Sequence, residues 1–340
     1  MPIRKRVTLR DVARETGLAL STVSNALAGK SLVKPETRDY VVETAEKIGY
    51  RASVVARSLR AQRSYAIGVL IEDVANPSAS AFVRGVEDVV NRAGCTILLA
   101  NTDGDLERQV AAMHALIDRA VDGLVLISQH LDDERVAEML KGEVPAVLIQ
   151  RRTPGLDLDY VGSDNSGGIR EALNYVAKLG HRRVGYITGP LGSSSARERL
   201  DAFRQAAAEL GLLEVDSLVY EGRYTFEAGL EAAGFYAGLP EKPTCIFASN
   251  DMSAIGLIQR LTERGLNVPR DISVVGLDDI ELAGIRAIDL TTIRLEKRAI
   301  GAEAAQLLLR RVDDPDAPVT TKILPTKLIV RGTTAMAEPG

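Results

Sequence analysis

TLRDVARETGLALSTVSNAL, residues 8–27, contains two short helical patterns that are separated by a tight turn. The first pattern covers 9–15 and is followed by Gly17, a residue type that commonly ends helices. The second pattern covers 20–28 and has apolar residues one helical turn apart. Two helices joined by so short a turn predict a helix-turn-helix, in which the second helix enters the major groove of DNA.

The charge distribution favours the same interpretation. Residues 1–63 contain 13 lysine and arginine residues against 6 aspartate and glutamate residues, whereas the rest of the chain contains 29 against 40. A third helix is predicted from Pro35 to Gly49, and the arginine-rich stretch SVVARSLRAQR, residues 53–63, is a further short helical candidate. A basic head on an acidic body favours a nucleic acid over a membrane surface as the partner of the head.

From Tyr65 onward, short apolar runs alternate with longer helical stretches. The runs are AIGVLI, CTILLA, DGLVLI, PAVLIQ, RVGYIT, TCIFAS and ISVVGL. Such runs, separated by helices, predict parallel β-sheet that is covered by helices on both faces and binds ligands at the carboxyl ends of its strands. The pattern alone leaves open whether the strands form one large sheet or two smaller lobes.

Composition argues against several classes of protein. No apolar run approaches the roughly 18 residues that a membrane-spanning helix needs. The basic start lacks the apolar stretch of a signal peptide, so we expect a cytoplasmic protein. Cys95 and Cys245 each adjoin an apolar run, which predicts buried thiols and no disulfide. The three histidines lack metal-ligand spacing, so we expect neither a metal site nor a cofactor.

The sequence resembles the LacI/GalR family of bacterial transcription regulators over almost its whole length. In the head the resemblance rests on TLRDVARETGLALSTVSNAL, PETRDYVVETAEKIGY and ASVVARSLR; in the body it rests on Asn76-Pro77, VDGLVLI, SDNSGG, LGHRRVGYITGP, RERLDAF, FASNDMSAIGL, VPRDISVVGLDD and LTTIR. The resemblance implies an all-α helix-turn-helix head, a hinge helix and a two-lobed α/β body with parallel sheets, similar to a periplasmic sugar-binding protein and working as a homodimer.

The resemblance also implies a division of the chain. A DNA-binding domain takes 1–52, a hinge and linker 53–64, an effector-binding and dimerisation domain 65–334, and a tail 335–340. From its terminal position alone, we expect the stretch TTAMAEPG, residues 333–340, to be frayed. Within the body, lobe 1 takes about 65–162 and 295–322, and lobe 2 about 163–294 and 323–334.

The DNA contacts that the resemblance implies start on the second helix. There Leu20, Ser21 and Asn25 face the bases, and Thr22 and Ser24 lie against bases or sugar-phosphate. Asn25 has the chemistry for two hydrogen bonds to adenine. Phosphate anchoring falls to Arg10, Lys34, Thr37 and Tyr50. In the hinge, Ser53 caps the helix, Ala56 and Arg60 lie along the minor groove, and Leu59 wedges apart a base step.

The head departs from the family pattern at two helix starts. Ala19 and Lys34 stand where serine caps are usual. Neither residue accepts a backbone N–H bond through its side chain, although Lys34 retains an attraction to phosphate. We therefore expect the second helix to begin without a side-chain cap.

In the body, the resemblance implies a pocket for a small effector, with a sugar or sugar derivative as the expected class. Arg199 donates paired hydrogen bonds to vicinal oxygens, Asp278 accepts from hydroxyls, and Asn250 does both. The other implied lining residues are Asp73, Asn76, Ser78, Ser128, Gln150, Arg151, Ser193, Ser195 and Tyr224. Arg151 is equally compatible with a surface or interlobe ion pair. Asp251 is interpreted as a helix N-cap and Asp164 as a turn residue.

The pocket also departs from the family pattern. Ser78 and Ala79 stand where relatives carry aromatic residues, which leaves Tyr224 as the aromatic face. Gln150 replaces a frequent aspartate. These changes predict a roomier, more polar and less acidic pocket. They favour a sugar acid or a phosphorylated sugar and leave a neutral sugar or a nucleoside open.

Two other functions compete with a repressor that binds a palindromic operator as a dimer. Ser163-Asp164-Asn165 and the pair Ser31 and Lys34 match two elements of the penicillin-binding serine acyltransferases, but no KTG follows and the second element lies in the head. We therefore expect no enzymatic activity. A sugar-binding carrier would account for the body and leave the basic head unexplained.

Overall fold

The computed structural model describes residues 7–27, 31–50, 63–142 and 144–337. The chain divides into two compact units, Met1–Ser64 and Tyr65–Gly340. The predicted hinge residues lie outside the described residues: Ser53, Ala56, Leu59 and Arg60. The predicted limits of the domains and lobes stay predictions.

The described part of the first unit is helical. Its helices are α1 (Leu9–Thr16), α2 (Leu20–Leu27) and α3 (Pro35–Lys47). Gly17 ends α1 with a φ of 68°, a left-handed conformation that glycine adopts without steric cost. The helices share one apolar core, built from Val12, Val23, Ala26, Val33, Val41 and Ala45. The tight turn between α1 and α2 confirms the predicted helix-turn-helix.

Both unusual helix starts are present as expected. The Val23 amide donates to the Ala19 carbonyl at 3.0 Å, so Ala19 occupies the capping position of α2 with only a methyl side chain. Lys34 precedes α3 and makes no side-chain capping bond. At α1, by contrast, the Asp11 carboxylate accepts from the Thr8 amide at 2.9 Å. That bond, together with one from the Thr8 hydroxyl, lowers the pKa of Asp11.

The described part of the second unit contains two sheets. The first is built from β1 (Ala66–Ile71), β2 (Thr96–Asn101), β3 (Gly123–Ile127), β4 (Ala146–Ile149), β5 (Asp159–Ser163) and β11 (Thr321–Leu324). The second is built from β6 (Val184–Thr188), β7 (Val219–Glu221), β8 (Cys245–Ala248), β9 (Ser273–Asp278), β10 (Thr291–Leu295) and β12 (Thr326–Ile329). Their strand orders are β11-β5-β4-β3-β1-β2 and β12-β10-β9-β8-β6-β7. All pairs are parallel except β10 with β12, which is antiparallel.

Helices cover both faces of each sheet, as the apolar runs predict. The helices of this unit are α4 (Pro77–Val90), α5 (Leu106–Ile117), α6 (Glu134–Leu140), α7 (Asn165–Lys178), α8 (Ser194–Glu209), α9 (Phe226–Ala237), α10 (Asp251–Glu263) and α11 (Lys297–Asp313). In the first sheet, Ile67, Val69 and Ile71 of β1 pack with α4 and α11, whereas Leu70 packs with α5 and α6 on the other face. In the second sheet, α7 and α8 share one core, and α9 and α10 share the other.

The chain passes between the two sheets after β5, after β10 and between β11 and β12. The body therefore consists of two smaller lobes, as the resemblance implies. Cys95 and Cys245 are buried free thiols, as predicted.

One expectation for the body is wrong: the segment after β12 is not frayed as far as Ala337. Thr333 is buried, and its hydroxyl donates to the Val274 carbonyl at 2.7 Å. The Ala335 amide donates to the Ser273 hydroxyl at 3.1 Å, and the Ala337 amide donates to the Leu179 carbonyl at 2.8 Å. These bonds fasten the segment to the second sheet and to the end of α7.

Candidate functional site

A cavity of about 580 Å³ lies between the carboxyl ends of the two sheets. The residues that the sequence assigns to an effector pocket all line it: Asp73, Asn76, Ser78, Ser128, Gln150, Arg151, Ser193, Ser195, Arg199, Tyr224, Asn250 and Asp278. Its volume falls within the range of about 300–1,000 Å³ that is typical of small-molecule sites.

Several of these lining residues are positioned by the carboxyl ends of the strands. Ser128 follows β3 and Gln150 follows β4 in the first sheet, while Asn250 closely follows β8 and Asp278 ends β9 in the second. Because parallel strands point their carboxyl ends the same way, side chains that are distant in sequence meet at one edge. Each lobe therefore contributes one wall of the cavity.

Unusual backbone geometry occurs at four of the twelve predicted lining residues. Ser128, Gln150, Tyr224 and Asp278 have positive φ angles of 55°, 66°, 62° and 125°. Residues other than glycine rarely adopt such conformations, which cost of order 1–3 kcal/mol each and cluster at binding sites.

Arg199 is held rigidly in α8. It is only 6% exposed, and its Nε donates to Asn165 Oδ1 at 2.8 Å while one terminal nitrogen donates to the Ser249 carbonyl at 3.2 Å. Both partners are neutral and fix the plane of the guanidinium. A ligand with two adjacent oxygens therefore meets an oriented donor pair.

Arg151 is also buried, at 6% exposure. This corrects the alternative in which Arg151 forms a surface or interlobe ion pair. It forms an ion pair with Glu72 at 2.7 Å, but the pair joins two strand ends of the same sheet rather than lying on the surface or between lobes. The Nε atom of Arg151 is buried and has no hydrogen-bond partner within the part of the chain that the structure describes. A ligand oxygen would satisfy it.

Asn250 and Tyr224 form a linked pair. Asn250 Oδ1 accepts from the Ser253 amide at 3.0 Å and caps α10, and its Nδ2 donates to the Tyr224 carbonyl at 2.7 Å. The ring of Tyr224 packs directly on Gly189, where a Cβ would overlap it. The Tyr224 hydroxyl is buried and has no hydrogen-bond partner among the described residues.

The capping role of Asn250 corrects the interpretation of Asp251. Asp251 is fully buried and accepts from the Ile280 amide at 2.9 Å and from the Thr292 hydroxyl at 2.5 Å, so it ties α10 to the strands beside it. Burial, followed by repulsion from Asp278, raises the pKa of Asp251. Burial likewise raises the pKa of Asp278, against the opposing effect of Lys297 and then Arg199.

The turn interpretation of Asp164 is also refined, because its carboxylate caps α7 by accepting from the Gly167 amide at 2.8 Å. Four further predicted residues form hydrogen bonds with neighbours. Gln150 donates to the Ser163 hydroxyl at 2.8 Å, and the hydroxyls of Ser193 and Ser195 lie 3.0 Å apart. Asn76 caps α4 by accepting from the Ser78 amide at 2.9 Å.

The cavity is more acidic than the sequence interpretation expected. Glu72 and Asp103 line it and follow β1 and β2, so their position after apolar strands was the signal that could have identified them. Arg223 also lines the cavity and pairs with Glu231 at 2.8 Å. Tyr224 is not its sole aromatic residue, because Phe82 lies one helical turn beyond Ser78 and lines the cavity too.

In the first unit, the predicted DNA contacts lie on the outside of α2. Leu20 is 44% exposed, Ser21 is exposed, and Thr22, Ser24 and Asn25 are half-buried, whereas Val23 faces the core. The predicted phosphate contacts are exposed or half-buried as well: Arg10, Lys34, Thr37 and Tyr50. The helix therefore presents a mostly polar face away from its own core.

A search of the described residues for clusters of histidine, cysteine, aspartate and glutamate that could hold a metal ion finds none. No helix within the described ranges is long and apolar enough to cross a bilayer.

Two family descriptions match the chain. Residues 8–53 match "Bacterial regulatory proteins, lacI family", and residues 173–334 match "Periplasmic binding protein-like domain". The matches cover the helix-turn-helix, every strand of the second sheet, and α11 and β11 of the first lobe.

Known proteins match nearly the whole chain. Catabolite control protein A of Priestia megaterium is 32% identical over 96% of this chain and 99% of its own. The lac repressor dimer bound to operator and the anti-inducer ONPF has a TM-score of 0.88 at 28% identity, covering 97% of this chain and 100% of its own. A lacI family regulator from Enterococcus faecium with bound ribose has a TM-score of 0.71 at 27% identity, covering 80% and 99%. The protein belongs to the lacI family of bacterial regulatory proteins, which are DNA-binding regulators of transcription and not enzymes.

Proposed function

We propose that the protein is a transcriptional repressor that binds a palindromic operator as a homodimer and responds to a sugar or sugar derivative. The single observation that carries the effector part is the cavity between the two lobes. It combines an oriented arginine, Arg199, with the partnerless Nε of Arg151 and the partnerless hydroxyl of Tyr224. A polyhydroxylated ring supplies both the acceptors and the donors that these groups need.

The charges around the cavity favour a neutral effector over the sugar acid or phosphorylated sugar that the sequence suggested. Glu72 neutralises Arg151, Asp103 pairs with Arg108, and Arg223 is paired with Glu231. Arg199 then remains as a positive group, whereas Asp278 and Asp73 remain as negative groups. A strongly anionic ligand would be attracted to Arg199 and repelled by the two carboxylates. A nucleoside remains an alternative because of the two aromatic rings.

The DNA part of the proposal rests on the outward polar face of α2. Leu20, Ser21 and Asn25 would read base edges in the major groove, and two heads related by two-fold symmetry would read two half-sites. The lac repressor, which resembles this chain closely in fold, is a dimer bound to operator in its structure. Action on chromosomal DNA would place the protein in the cytoplasm.

The proposed regulation follows from the two-walled cavity. A ligand that contacts Gln150 and Arg151 on one lobe and Arg199 and Asn250 on the other stabilises the closed arrangement of the lobes relative to the open one. It changes DNA affinity only by the difference in its affinity for the two arrangements. Lobe movement would be transmitted to the heads through the predicted hinge, 53–64.

Selection of binding sites from random DNA tests the operator, and calorimetry with neutral and anionic sugars tests the effector. We expect a two-fold symmetric consensus and binding of at least one neutral sugar. A protein that bound sugar and selected no DNA sequence would instead be the carrier considered above. Selective binding of anionic sugars would contradict the charge argument.

A further inference from the structure

A second cavity, which we call the annex, adjoins the effector cavity. It measures about 270 Å³ and shares His130, Arg151 and Gly192 with the larger cavity. The remaining lining residues are Leu106, Gln129, Leu131, Asp132, Asp133, Arg152 and Ser194. Alone, the annex is smaller than the roughly 300–1,000 Å³ of ordinary small-molecule sites, so it is better suited to part of a ligand than to a ligand of its own.

The junction between the two cavities contains the partnerless donor described above. Arg151 lines both cavities, is 6% exposed, and has one side of its guanidinium occupied by Glu72. Its Nε is buried without a partner. A buried guanidinium nitrogen left without an acceptor is costly, and a ligand that passes from one cavity to the other would bring an oxygen to it.

Charged side chains of the annex are already engaged with protein partners. Asp133 forms an ion pair with Arg135 at 3.1 Å, and Asp132 lies 4.0 Å from a guanidinium nitrogen of Arg197. Arg152 donates to Glu198 at 3.3 Å. These pairings leave little net charge for a ligand to neutralise, so the annex favours a neutral group with hydroxyls over an anionic one.

Apolar surface lies beside these polar groups. Leu106 and Leu131 line the annex next to Gln129, Ser194 and the paired carboxylates. A sugar ring has C–H groups on its faces and hydroxyls around its rim, which matches such mixed lining.

We propose that the effector is a neutral disaccharide whose first ring binds in the larger cavity and whose second ring binds in the annex, with an oxygen near the linkage accepting from Arg151 Nε. This inference rests on the proposed function and names the size and charge of the effector within it.

Two positions allow the annex to be closed, and one of them, Leu106, lies outside the larger cavity. Leu106 lines the annex and not the larger cavity, so Leu106→Trp fills the annex alone. At Gly192, on the junction, an added Cβ would meet no heavy atom within 4 Å, so Gly192→Val narrows the passage without a backbone clash. Leu213, which is 52% exposed and lines neither cavity, provides the matched control Leu213→Trp.

The test is calorimetry of the full chain with cellobiose, maltose, lactose, trehalose and sucrose, and with glucose, galactose and fructose. We expect at least one disaccharide to bind ten-fold or more tightly than either of its component sugars. Leu106→Trp should weaken that disaccharide at least ten-fold and change monosaccharide affinity less than two-fold, and Leu213→Trp should change neither. Gly192→Val should also weaken the disaccharide, which keeps the test valid if Leu106→Trp does not fold.

Three results would overturn the inference, and they separate it from the proposed function. Monosaccharides that bind as tightly as disaccharides would leave the sugar effector in place and remove the role of the annex. If Leu106→Trp weakened the binding of monosaccharides and disaccharides equally, the annex would likewise have no separate role. If no sugar of either size binds, the proposed sugar effector fails as well.

Discussion

The helix pair α9 and α10 crosses at two glycines, and this crossing yields a stability prediction with an internal control. A Cβ built on Gly229 of α9 would lie 2.8 Å from the Leu257 amide nitrogen and closer still to the Ser253 carbonyl oxygen. Gly256 of α10 makes the reciprocal approach to the Phe226 carbonyl. Both obstacles are backbone atoms, so the change Gly229→Ala forces the helices themselves apart.

The magnitude follows from two opposing effects. Overpacking of this kind costs about 1–3 kcal/mol, and more where only backbone movement relieves it. Replacing a helical glycine with alanine gains up to about 1 kcal/mol in helix propensity. We therefore expect Gly229→Ala to lower the free energy of unfolding by about 1–2 kcal/mol, or the melting temperature by roughly 2–8 °C in a protein of this size.

Gly234→Ala, in the same helix, is the matched control. Its added Cβ would come no closer than 3.8 Å to a neighbouring side-chain atom, Arg264 Nη2. With the same gain in propensity and without the clash, it should raise the free energy of unfolding by about 0.5–1 kcal/mol. The two substitutions are chemically identical, so their opposite signs isolate the contact.

Urea unfolding followed by circular dichroism measures both variants. Because Tyr224 lies just before α9 and Asn250 caps α10, Gly229→Ala should also weaken effector binding. Equal stability of the two variants, or a Gly229→Ala protein as stable as the wild type, would refute the reasoning.

Three further predictions concern single side chains. Arg199→Lys keeps the charge and loses the oriented donor pair, so calorimetry should show weaker effector binding, by about 1.5–3 kcal/mol or roughly 10–150-fold. DNA binding in the absence of effector should be unchanged. A change in effector affinity of less than two-fold would contradict this prediction. Asn25→Ala should remove about 1–3 kcal/mol of discrimination at one operator base pair in competition binding with operator variants, and an unchanged ranking of those variants would show that Asn25 reads no base. Since the pKa of buried Asp251 is raised in the folded protein, the folded state binds the proton more tightly than the unfolded state, and the free energy of unfolding should fall as pH rises from the ordinary range of an aspartate towards neutrality. Asp251→Asn should reduce that slope in urea titrations at several pH values, and an identical slope would count against it.

The sequence predicts the parts of the fold that depend on local apolar patterns. Seven apolar runs correspond to β1, β2, β3, β4, β6, β8 and β9, and the tight turn at Gly17 predicts the helix-turn-helix. The strands that the pattern misses are short or polar, such as β5 with the sequence DYVGS and β7 with VYE. Such strands form because a neighbouring strand offers its hydrogen-bonding edge, which local sequence does not reveal.

The candidate site divides in a similar way. The resemblance identified lining residues that are fixed by motif, such as Arg199 in RERLDAF, but it did not identify Glu72 or Asp103, which enter the cavity only because β1 and β2 end at its edge. Asn250 and Asp251 are adjacent candidates for capping α10, and only the geometry shows that Asn250 is the cap. The positive φ angles at Ser128 and Gln150 are likewise imposed by tertiary packing and are not encoded by a glycine.

In the proposed function, one chain couples sugar binding between the lobes to operator binding by the head. The most direct measurement is DNase footprinting of the full chain on DNA upstream of its own gene, with increasing concentrations of the sugar that binds in calorimetry. We expect a protected two-fold symmetric site whose affinity changes at least ten-fold with the sugar, and a markedly weaker response in Arg199→Lys. A site whose protection is the same at every sugar concentration, or the absence of any protected site, would contradict it.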